Sequence, residues 1–195
     1  MTQRLAARAM IAVGAALAVL FVMVALLFAR FSQQFEEARV LVRRTSGVIA
    51  TTNSLFEAVL QSESSERGYL ITGSPDYLQR YMQARDRIPG VQSELRKLTS
   101  DDPLQQTRLD RLAQVIQQKV DEMAYTIRLH DEAGFVEAQR EVQTHLGRNL
   151  MLTIRAGIGE MIADQERLLR TRQVEAQEAQ KRTLAAAAAG GVLVF

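Results

Sequence analysis

An uncharged apolar run near the N-terminus most strongly limits what this chain can fold into. Residues 9–29 (AMIAVGAALAVLFVMVALLFA) contain no Asp, Glu, Lys or Arg. A helix of about 20 apolar residues crosses the roughly 30 Å hydrocarbon core of a bilayer. Because no polar side chains mark a solvent-facing side, a buried helix of a soluble core is disfavoured. We predict a transmembrane helix over residues 9–29, with residues 1–8 as a cytoplasmic tail.

A cleaved secretory signal peptide is the alternative interpretation of the same run. The apolar region of a signal peptide usually has about 7–15 residues and ends in a small-x-small cleavage site. This run is longer, and Leu27 would occupy the minus-three position for cleavage after Ala29. An uncleaved signal anchor fits better and places the following region outside the cytoplasm. Basic residues flank the run on both sides, so the positive-inside rule does not decide the orientation.

A second apolar run ends the sequence. Residues 184–195 (LAAAAAGGVLVF) are uncharged but too few to cross a bilayer. Their Ala and Gly content is typical of packed membrane helices. We predict the start of a second transmembrane helix, and we expect the chain to be a fragment of a longer protein. An apolar tail that packs on the preceding domain is the alternative.

The charges of the chain separate into a small basic tail and a neutral middle region. Arg4 and Arg8 are the only charged residues outside residues 30–183. Within that range the other 22 basic residues balance the 22 acidic ones. The pI of 9.2 therefore reflects the tail. Nucleic-acid binding is excluded because it needs a clustered positive patch. The absence of Cys excludes a disulfide scaffold and a thiolate metal site.

Proline and glycine divide the middle region into helices. Residues 74–76 (Ser-Pro-Asp) offer an N-cap, a Pro at the first helical position and an acid near the helix dipole. Residues 102–105 (Asp-Pro-Leu-Gln) repeat the arrangement and could complete a capping box. Gly73 and Gly134 are expected C-caps. Gly147 is expected to separate a short helix from a long final one.

Apolar residues at alternating steps of three and four define one stripe on each helix. The stripes comprise Phe31, Phe35, Ala38, Val42, Thr45, Ile49, Thr52, Phe56 and Val59; Tyr77, Tyr81, Ala84, Ile88, Val91, Leu95 and Leu98; Leu109, Leu112, Ile116, Val120, Met123 and Ile127; and Met151, Ile154, Ile158, Met161, Gln165 and Leu168. We predict an all-α fold in which residues 30–183 form an up-down four-helix bundle with long helices. The two transmembrane segments flank it.

A motif at the end of the first helix carries a family resemblance. It comprises Glu63, Glu66, Arg67, Gly68, Tyr69, Leu70, Thr72 and Gly73, followed by Tyr77 and Tyr81, with Ile154, Arg155 and Glu166 at a suitable distance. This combination resembles the CHASE domain of type three over residues 35–172. The resemblance implies an extracytoplasmic sensory bundle between two transmembrane helices. Family members pass signals to histidine kinases, nucleotide or diguanylate cyclases, or chemotaxis-type outputs, and no cofactor is implied.

Glu63 and Glu66 continue the apolar stripe of the first helix and should face into the bundle. A buried carboxylate must be paired, hydrogen-bonded or protonated. Arg67 lies one position off the stripe, and Arg155 lies beside the stripe residue Ile154. One hypothesis is that the four charged residues form a polar clamp that fixes helix register. The other is that they form a site whose occupancy shifts the helices. Simple exposure at the helix end is the third alternative.

These observations predict a signal-input module of a membrane receptor in the bacterial inner membrane. We expect a sensor histidine kinase of a two-component system, working as a homodimer, with an unknown extracytoplasmic stimulus or ligand. A diguanylate cyclase or chemotaxis-type receptor and a non-signalling membrane scaffold are the alternatives. No catalytic constellation appears, and His130 and His145 lack metal-ligand spacing. We therefore predict no enzyme activity, no metal and no cofactor. The lipid bilayer is the one predicted partner of defined chemistry.

Overall fold

The structure, a computed structural model, describes the backbone of residues 2–192 and most side chains between residues 40 and 178. Five helices are present: α1 (Thr2–Thr72), α2 (Pro75–Leu98), α3 (Pro103–Ala133), α4 (Phe135–Gln143) and α5 (Leu146–Val192). Within residues 2–192 no strand occurs. The chain divides into two compact units, residues 1–43 and residues 44–195. The all-α prediction is confirmed.

The two predicted membrane segments fall largely outside the described side chains. The structure does not describe residues 193–195 or the side chains of residues 184–192. Of residues 9–29 it describes only some of the side chains. In the portion of the chain that the structure does describe, no helix has the length and apolar character needed to cross a bilayer.

The predicted signals set the ends of α1, α2 and α3. Gly73 adopts a φ of 64°, and its N–H donates to the Tyr69 carbonyl oxygen at 2.8 Å. Pro75 is the first residue of α2, although the Ser74 side chain makes no capping hydrogen bond. At α3, the Asp102 carboxylate accepts from the backbone N–H of Gln105 at 3.1 Å. The Gln105 side chain is buried, and its Oε1 has no hydrogen-bond partner.

The boundary between α4 and α5 lies two residues before the predicted position. Gly134 ends α3 at a φ of 86°, as expected for a C-cap glycine. The next break falls at His145, which adopts a φ of 63°. Histidine is one of the few non-glycine residues that occur in this left-handed region with some frequency. Gly147 therefore lies in the first turn of α5. The short helix followed by a long one is confirmed, but the break at Gly147 is wrong.

Four helices contribute to one hydrophobic core. Its buried members are Val48, Leu55, Ala58 and Val59 of α1; Ile88 and Leu95 of α2; Leu109, Leu112 and Ile116 of α3; and Met151, Ile154, Ile158 and Met161 of α5. The predicted stripes of α2, α3 and α5 are mostly confirmed. On α1, Ile49 and Phe56 are only half-buried, and their neighbours Val48 and Leu55 take the central positions. Thr45, Thr52 and Val59 of the predicted stripe are buried, so the inward face of α1 takes its steps of three and four in the opposite order to the prediction.

Contacts at the two ends of the bundle give the direction of α1 relative to α2 and α3. At one end, Arg44 Nε donates to the Leu98 carbonyl oxygen at 3.0 Å, and the Arg44 guanidinium pairs with Asp101. At the other end, Tyr69 Oη donates to Asp131 Oδ1 at 2.7 Å. The part of α1 around Arg44 therefore lies where α2 ends and α3 begins, and residue 69 lies near the end of α3. Helices α1 and α3 run parallel, and α2 runs in the opposite direction.

The helix α5 runs antiparallel to α3. The start of α3 meets the middle of α5 through an ion pair between Arg108 and Asp164. The later part of α3, at Glu122, meets the first turn of α5 at Gly147. Helices α1, α2, α3 and α5 thus alternate in direction, and the short α4 connects α3 to α5.

Candidate functional site

The last third of α1 directs two carboxylates into the bundle. Glu63 and Glu66 are both buried, and Glu66 is only 3% exposed. They follow Val59 on the inward face of α1 at the spacing that brings helix positions onto one side. The predicted inward placement of both acids is therefore observed. A charged carboxylate at this depth needs a compensating cation or a proton.

Lys119 of α3 supplies the cation. Its side chain is 2% exposed, and Nζ lies 2.7 Å from Glu122 Oε2 and 3.3 Å from Glu63 Oε1. Lys119 was missed in the sequence because Val120 was assigned to the stripe of α3. A signal was available, since Lys119 lies three residues after Ile116 and four before Met123, both of which are buried. A lysine at such a position among apolar residues indicates a buried ion pair.

Burial dominates the electrostatics of Glu66. Loss of solvent raises the pKa of its carboxyl from 4.5 to about 7. Lys119 is the largest opposing influence and lowers the pKa, Glu122 raises it, Arg67 lowers it and Glu63 raises it. The Glu66 carboxyl is therefore poised to change its protonation state near neutral pH.

The two arginines of the predicted clamp lie in different places. Arg67 pairs with Glu63 across one helical turn, its Nη2 lying 3.1 Å from Glu63 Oε1, with a side chain that is 58% exposed. Arg155 is exposed, and its guanidinium lies 5.6 Å from the centroid of the Phe56 ring. Since Ile154 occupies the inward position of α5, the adjacent residue turns away by about 100°. The structure brings Glu63, Glu66 and Arg67 together, and it does not bring Arg155 to them.

Tyr81 of α2 adds an unpartnered polar group next to the acids. The residue is 2% exposed, and its Oη is buried without a hydrogen-bond partner. Burial raises the pKa of its hydroxyl, Arg85 lowers it, and Glu66 and Glu122 both raise it. The hydroxyl therefore lies within electrostatic range of two carboxylates.

Gly147 of α5 packs against the Lys119–Glu122 pair. A Cβ at this position would lie 2.6 Å from Glu122 Oε1 and 2.8 Å from Lys119 Nζ. Backbone packing of this kind leaves no space for a further group between α5 and the pair. Among the residues that the structure describes, no three His, Asp or Glu side chains are placed to hold a metal ion. We call Glu63, Glu66, Lys119 and Glu122 the buried charge cluster.

The glycine and tyrosine of the motif pack α1 on α2. A Cβ on Gly68 would lie 2.5 to 2.8 Å from ring carbons of Tyr77, so the glycine allows the ring to rest on the α1 backbone. Leu70 is buried beside them. The Tyr69 ring lies 5.2 Å from the His130 ring, and its hydroxyl is held by Asp131. These residues build the end of the bundle that carries the cluster.

The rest of the motif forms the turn or lies elsewhere. Thr72 Oγ1 donates to the Gly68 carbonyl oxygen at 2.7 Å and accepts from the Ser74 N–H at 3.2 Å. This hydroxyl links the last turn of α1 to the start of α2. Glu166 is exposed on α5, 3.6 Å from Arg170, and is not part of the cluster.

Comparison with known proteins gives the family. The CHASE3 domain matches residues 38–175, which is more than two thirds of the chain. The chain belongs to the CHASE3 domain family. The resemblance predicted from the motif is confirmed, and CHASE3 domains are extracytoplasmic sensor domains of membrane receptors, not catalytic domains.

A solved structure supports the same conclusion. The chain is similar to the crystal structure of the Rhodopseudomonas palustris histidine kinase HK9 sensor domain, with a TM-score of 0.61 and 25% sequence identity. The similarity covers 65% of this chain and 98% of that one. A comparison with curated proteins gave no match.

The buried charge cluster of this CHASE3 domain lies far from the end where the domain begins and finishes. Arg172 Nη1 donates to Thr45 Oγ1 at 3.2 Å, so the first and last helices of the domain are adjacent there. Glu63 lies about 27 Å further along α1, at 1.5 Å per residue. The cluster and the Thr45–Arg172 contact therefore lie well apart along α1.

Proposed function

We propose that this chain is the signal-input module of a membrane-bound receptor whose output is a histidine kinase. The observation that carries the proposal is the CHASE3 match over residues 38–175, joined by the similarity to nearly the whole of a histidine kinase sensor domain. A sensor domain of this class needs an output partner to act on. A kinase is the output that the HK9 comparison favours.

The proposal includes a membrane anchor. Residues 9–29 are assigned to a first transmembrane helix and residues 184–195 to the start of a second one, in the inner membrane of a bacterium. Residues 1–8 then lie in the cytoplasm, and residues 30–183 lie outside it. The uncharged sequence of residues 9–29 supports this assignment, as do its large exposed apolar side chains Val19, Phe21, Val22, Val24 and Leu26. Exposed apolar surface of this kind is typical of contact with lipid or protein.

Signal transfer is proposed to use the two helices that leave the domain side by side. Because α1 and α5 meet at Thr45 and Arg172, a small sliding or rotation of one against the other changes the relative position of the segments that follow them. Packed helices switch between discrete arrangements more readily than they deform continuously. A homodimer would place two such pairs in one receptor, with exposed faces of α1 and α5 as its interface.

A hybrid receptor tests the proposal. Residues 1–195 are joined through a completed second span to the cytoplasmic kinase portion of another receptor, and autophosphorylation is measured in membranes. The double variant Thr45→Cys with Arg172→Cys is oxidised to link α1 to α5. We expect the cross-link to hold the kinase in one activity state, which reduction reverses.

The control links helices that are not expected to transmit the signal. Arg96 of α2 and Asp110 of α3 form an ion pair at 2.7 Å, so a double Cys variant there gives a matched cross-link. Kinase activity should change with the first cross-link and not with the second. Equal effects of both cross-links, or none from either, would contradict the proposed input function. Reporter fusions after Asp86 then test whether the bundle lies outside the cytoplasm.

A further inference from the structure

The buried charge cluster carries more negative than positive charge when all its groups are ionised. Glu63 and Glu122 pair with the Lys119 ammonium, and the buried Glu66 carboxyl lies within electrostatic range of it. Arg67 adds a second cation, but only at the exposed rim. One negative charge therefore stays uncompensated in a solvent-poor site, which is costly. A single bound proton makes the whole group neutral.

On the α5 side, the packing leaves little room beside Lys119 and Glu122. Gly147 closes one side at a distance that does not admit even a methyl group against Lys119 and Glu122. The acids are not arranged to hold a metal ion among the described residues. A proton needs no cavity, because it binds to an oxygen that is already in place.

Tyr81 provides an observation that is independent of the acids. Its hydroxyl is almost fully buried, has no hydrogen-bond partner and feels both Glu66 and Glu122. A buried hydroxyl without a partner is costly and is uncommon in folded proteins. Glu66 and Glu122 act on this hydroxyl electrostatically, and the Arg85 guanidinium lies 5.7 Å from the centroid of the same ring.

The groups that face Glu66 come from all the helices around it. They are Glu63 and Arg67 of α1, Tyr81 with the neighbouring Arg85 of α2, Lys119 and Glu122 of α3, and the uncharged Gly147 of α5 against the Lys119–Glu122 pair. Among these described groups Lys119 is the one buried cation, and Arg67 pairs with Glu63 from the exposed rim. Because these groups interact strongly, the proton belongs to the cluster as a whole and not to one carboxyl oxygen.

We propose that the buried charge cluster is a proton-binding site through which this domain senses extracytoplasmic pH. At low pH the cluster holds one proton and, together with Arg67, is neutral, and α1 packs on α3 as the structure shows. At higher pH the proton leaves, and Glu66 of α1 repels Glu122 of α3. The repulsion favours a shifted packing of α1, which the Thr45–Arg172 end transmits. The signalling part of this proposal rests on the proposed receptor function.

The proton site is tested without any receptor activity. The full 195-residue chain is prepared in detergent micelles with ¹³C-labelled glutamate, and the side-chain carboxyl resonances are followed by NMR from pH 4 to pH 9. We expect one carboxyl to titrate with a midpoint close to 7, because burial raises the pKa of Glu66 to about 7. Carboxyls that all finish titrating below pH 5.5 would overturn the proton site and leave the receptor function intact.

Matched variants assign the titration. Glu66→Gln removes the acid and should abolish the resonance that titrates near neutral pH. Glu57→Gln is the control, since Glu57 lies on the same helix but is exposed, and it should leave that titration unchanged. Lys119→Gln removes the internal cation and should raise the midpoint by more than one pH unit. A titration midpoint that stays the same in Lys119→Gln would also overturn the proton site. If Glu66→Gln does not fold, the titration seen in the wild-type spectrum decides whether the proton site exists.

The signalling part has its own readout. The kinase activity of the hybrid receptor is measured while the pH on the outer side of the membrane is changed from 6 to 8. We expect a several-fold change in the wild-type receptor and none in Glu66→Gln. If the NMR titration is present but kinase activity does not depend on external pH, the pH-sensing role is overturned. If the Thr45–Arg172 cross-link also has no effect, the receptor function itself fails.

Discussion

Gly147 of α5 lies against Lys119 of α3 so closely that a Cβ at position 147 would be 2.8 Å from the lysine Nζ. The backbone of α5 thus rests directly on Lys119, the one buried cation among the side chains that the structure describes. Glu122 is on the same side, 2.6 Å from that Cβ position. A glycine in the first turn of a long helix is explained here by close packing and not by a need for unusual backbone angles.

Replacing Gly147 by Ala should destabilise the bundle by about 1 to 2 kcal/mol, which we expect to be measured by chemical denaturation. The added methyl group must displace Lys119 or Glu122, and strain of this kind typically costs about 1–3 kcal/mol. Replacing a helical glycine by alanine offsets part of this loss, because alanine is the more stable residue in a helix. Gly159 is the control, because a Cβ there meets nothing within 4 Å. Gly159→Ala should be neutral or stabilising, and the same loss in both variants would rule out the packing explanation.

Replacing Lys119 by Met should cost about 3 kcal/mol of unfolding free energy at pH 8. Removal of one partner from a buried pair leaves an uncompensated charge, with typical losses of about 3–5 kcal/mol. At pH 5 the cost should be smaller, since the acids can take up protons. Lys97→Met serves as the control because Lys97 is exposed in the last turn of α2, and its change should stay below about 1 kcal/mol. A cost for Lys119→Met that does not depend on pH would contradict the prediction.

Stability should fall as pH rises from about 4.5 to 7. In this window the folded state binds more protons than the unfolded state, because burial raises the Glu66 pKa from 4.5 to about 7. The contribution is fully present below pH 4.5, is lost as pH passes 7, and amounts to about 3 kcal/mol at 1.36 kcal/mol per pKa unit. Urea denaturation across pH 4.5 to 8 should show this slope in the wild type and in Glu57→Gln. Glu66→Gln should flatten it, and an unchanged slope in that variant would assign the effect to another group.

Replacing Gly68 by Ala should cost about 1–3 kcal/mol, because a Cβ there would lie 2.5 Å from a ring carbon of Tyr77. A rigid ring cannot yield as the end of a lysine can. The double variant Gly68→Ala with Tyr77→Ala should therefore lose less than the sum of the two single losses. Gly90→Ala is the matched control on α2, where a Cβ meets nothing within 4 Å. Additive losses for Gly68 and Tyr77 would show that the ring contact is not the cause.

Local signals in the sequence predicted much of the fold. Pro75 and Pro103 fixed the starts of α2 and α3, and Gly73 and Gly134 fixed two helix ends. Each of these signals acts within one helical turn, so the neighbouring residues contain all the information needed. The break at His145 was missed, because a left-handed conformation at histidine has no comparable local signature.

Part of the candidate site was also predictable. The stripe of α1 continues through Glu63 and Glu66, and both are buried as this spacing requires. Of the two predicted cations, Arg67 pairs with Glu63, whereas Arg155 does not reach the acids. Arg155 was predicted to join the clamp because it is adjacent in sequence to the inward Ile154. Adjacent residues of a helix point in directions about 100° apart, so Arg155 points outward and lies over the Phe56 ring. Lys119 occupies the inward position on α3 and takes the role.

The sequence by itself determined where α2 and α3 begin and most of the apolar face of each helix, since a 3.6-residue period and end caps are properties of a single segment. It also placed two acids on the inward face of α1. Only the tertiary structure decided which residues meet those acids. The partner depends on the rotation of each helix about its own axis and on how closely the backbones approach. A shift of one residue turns a side chain by about 100°, which separates Lys119 from Val120 and Ile154 from Arg155.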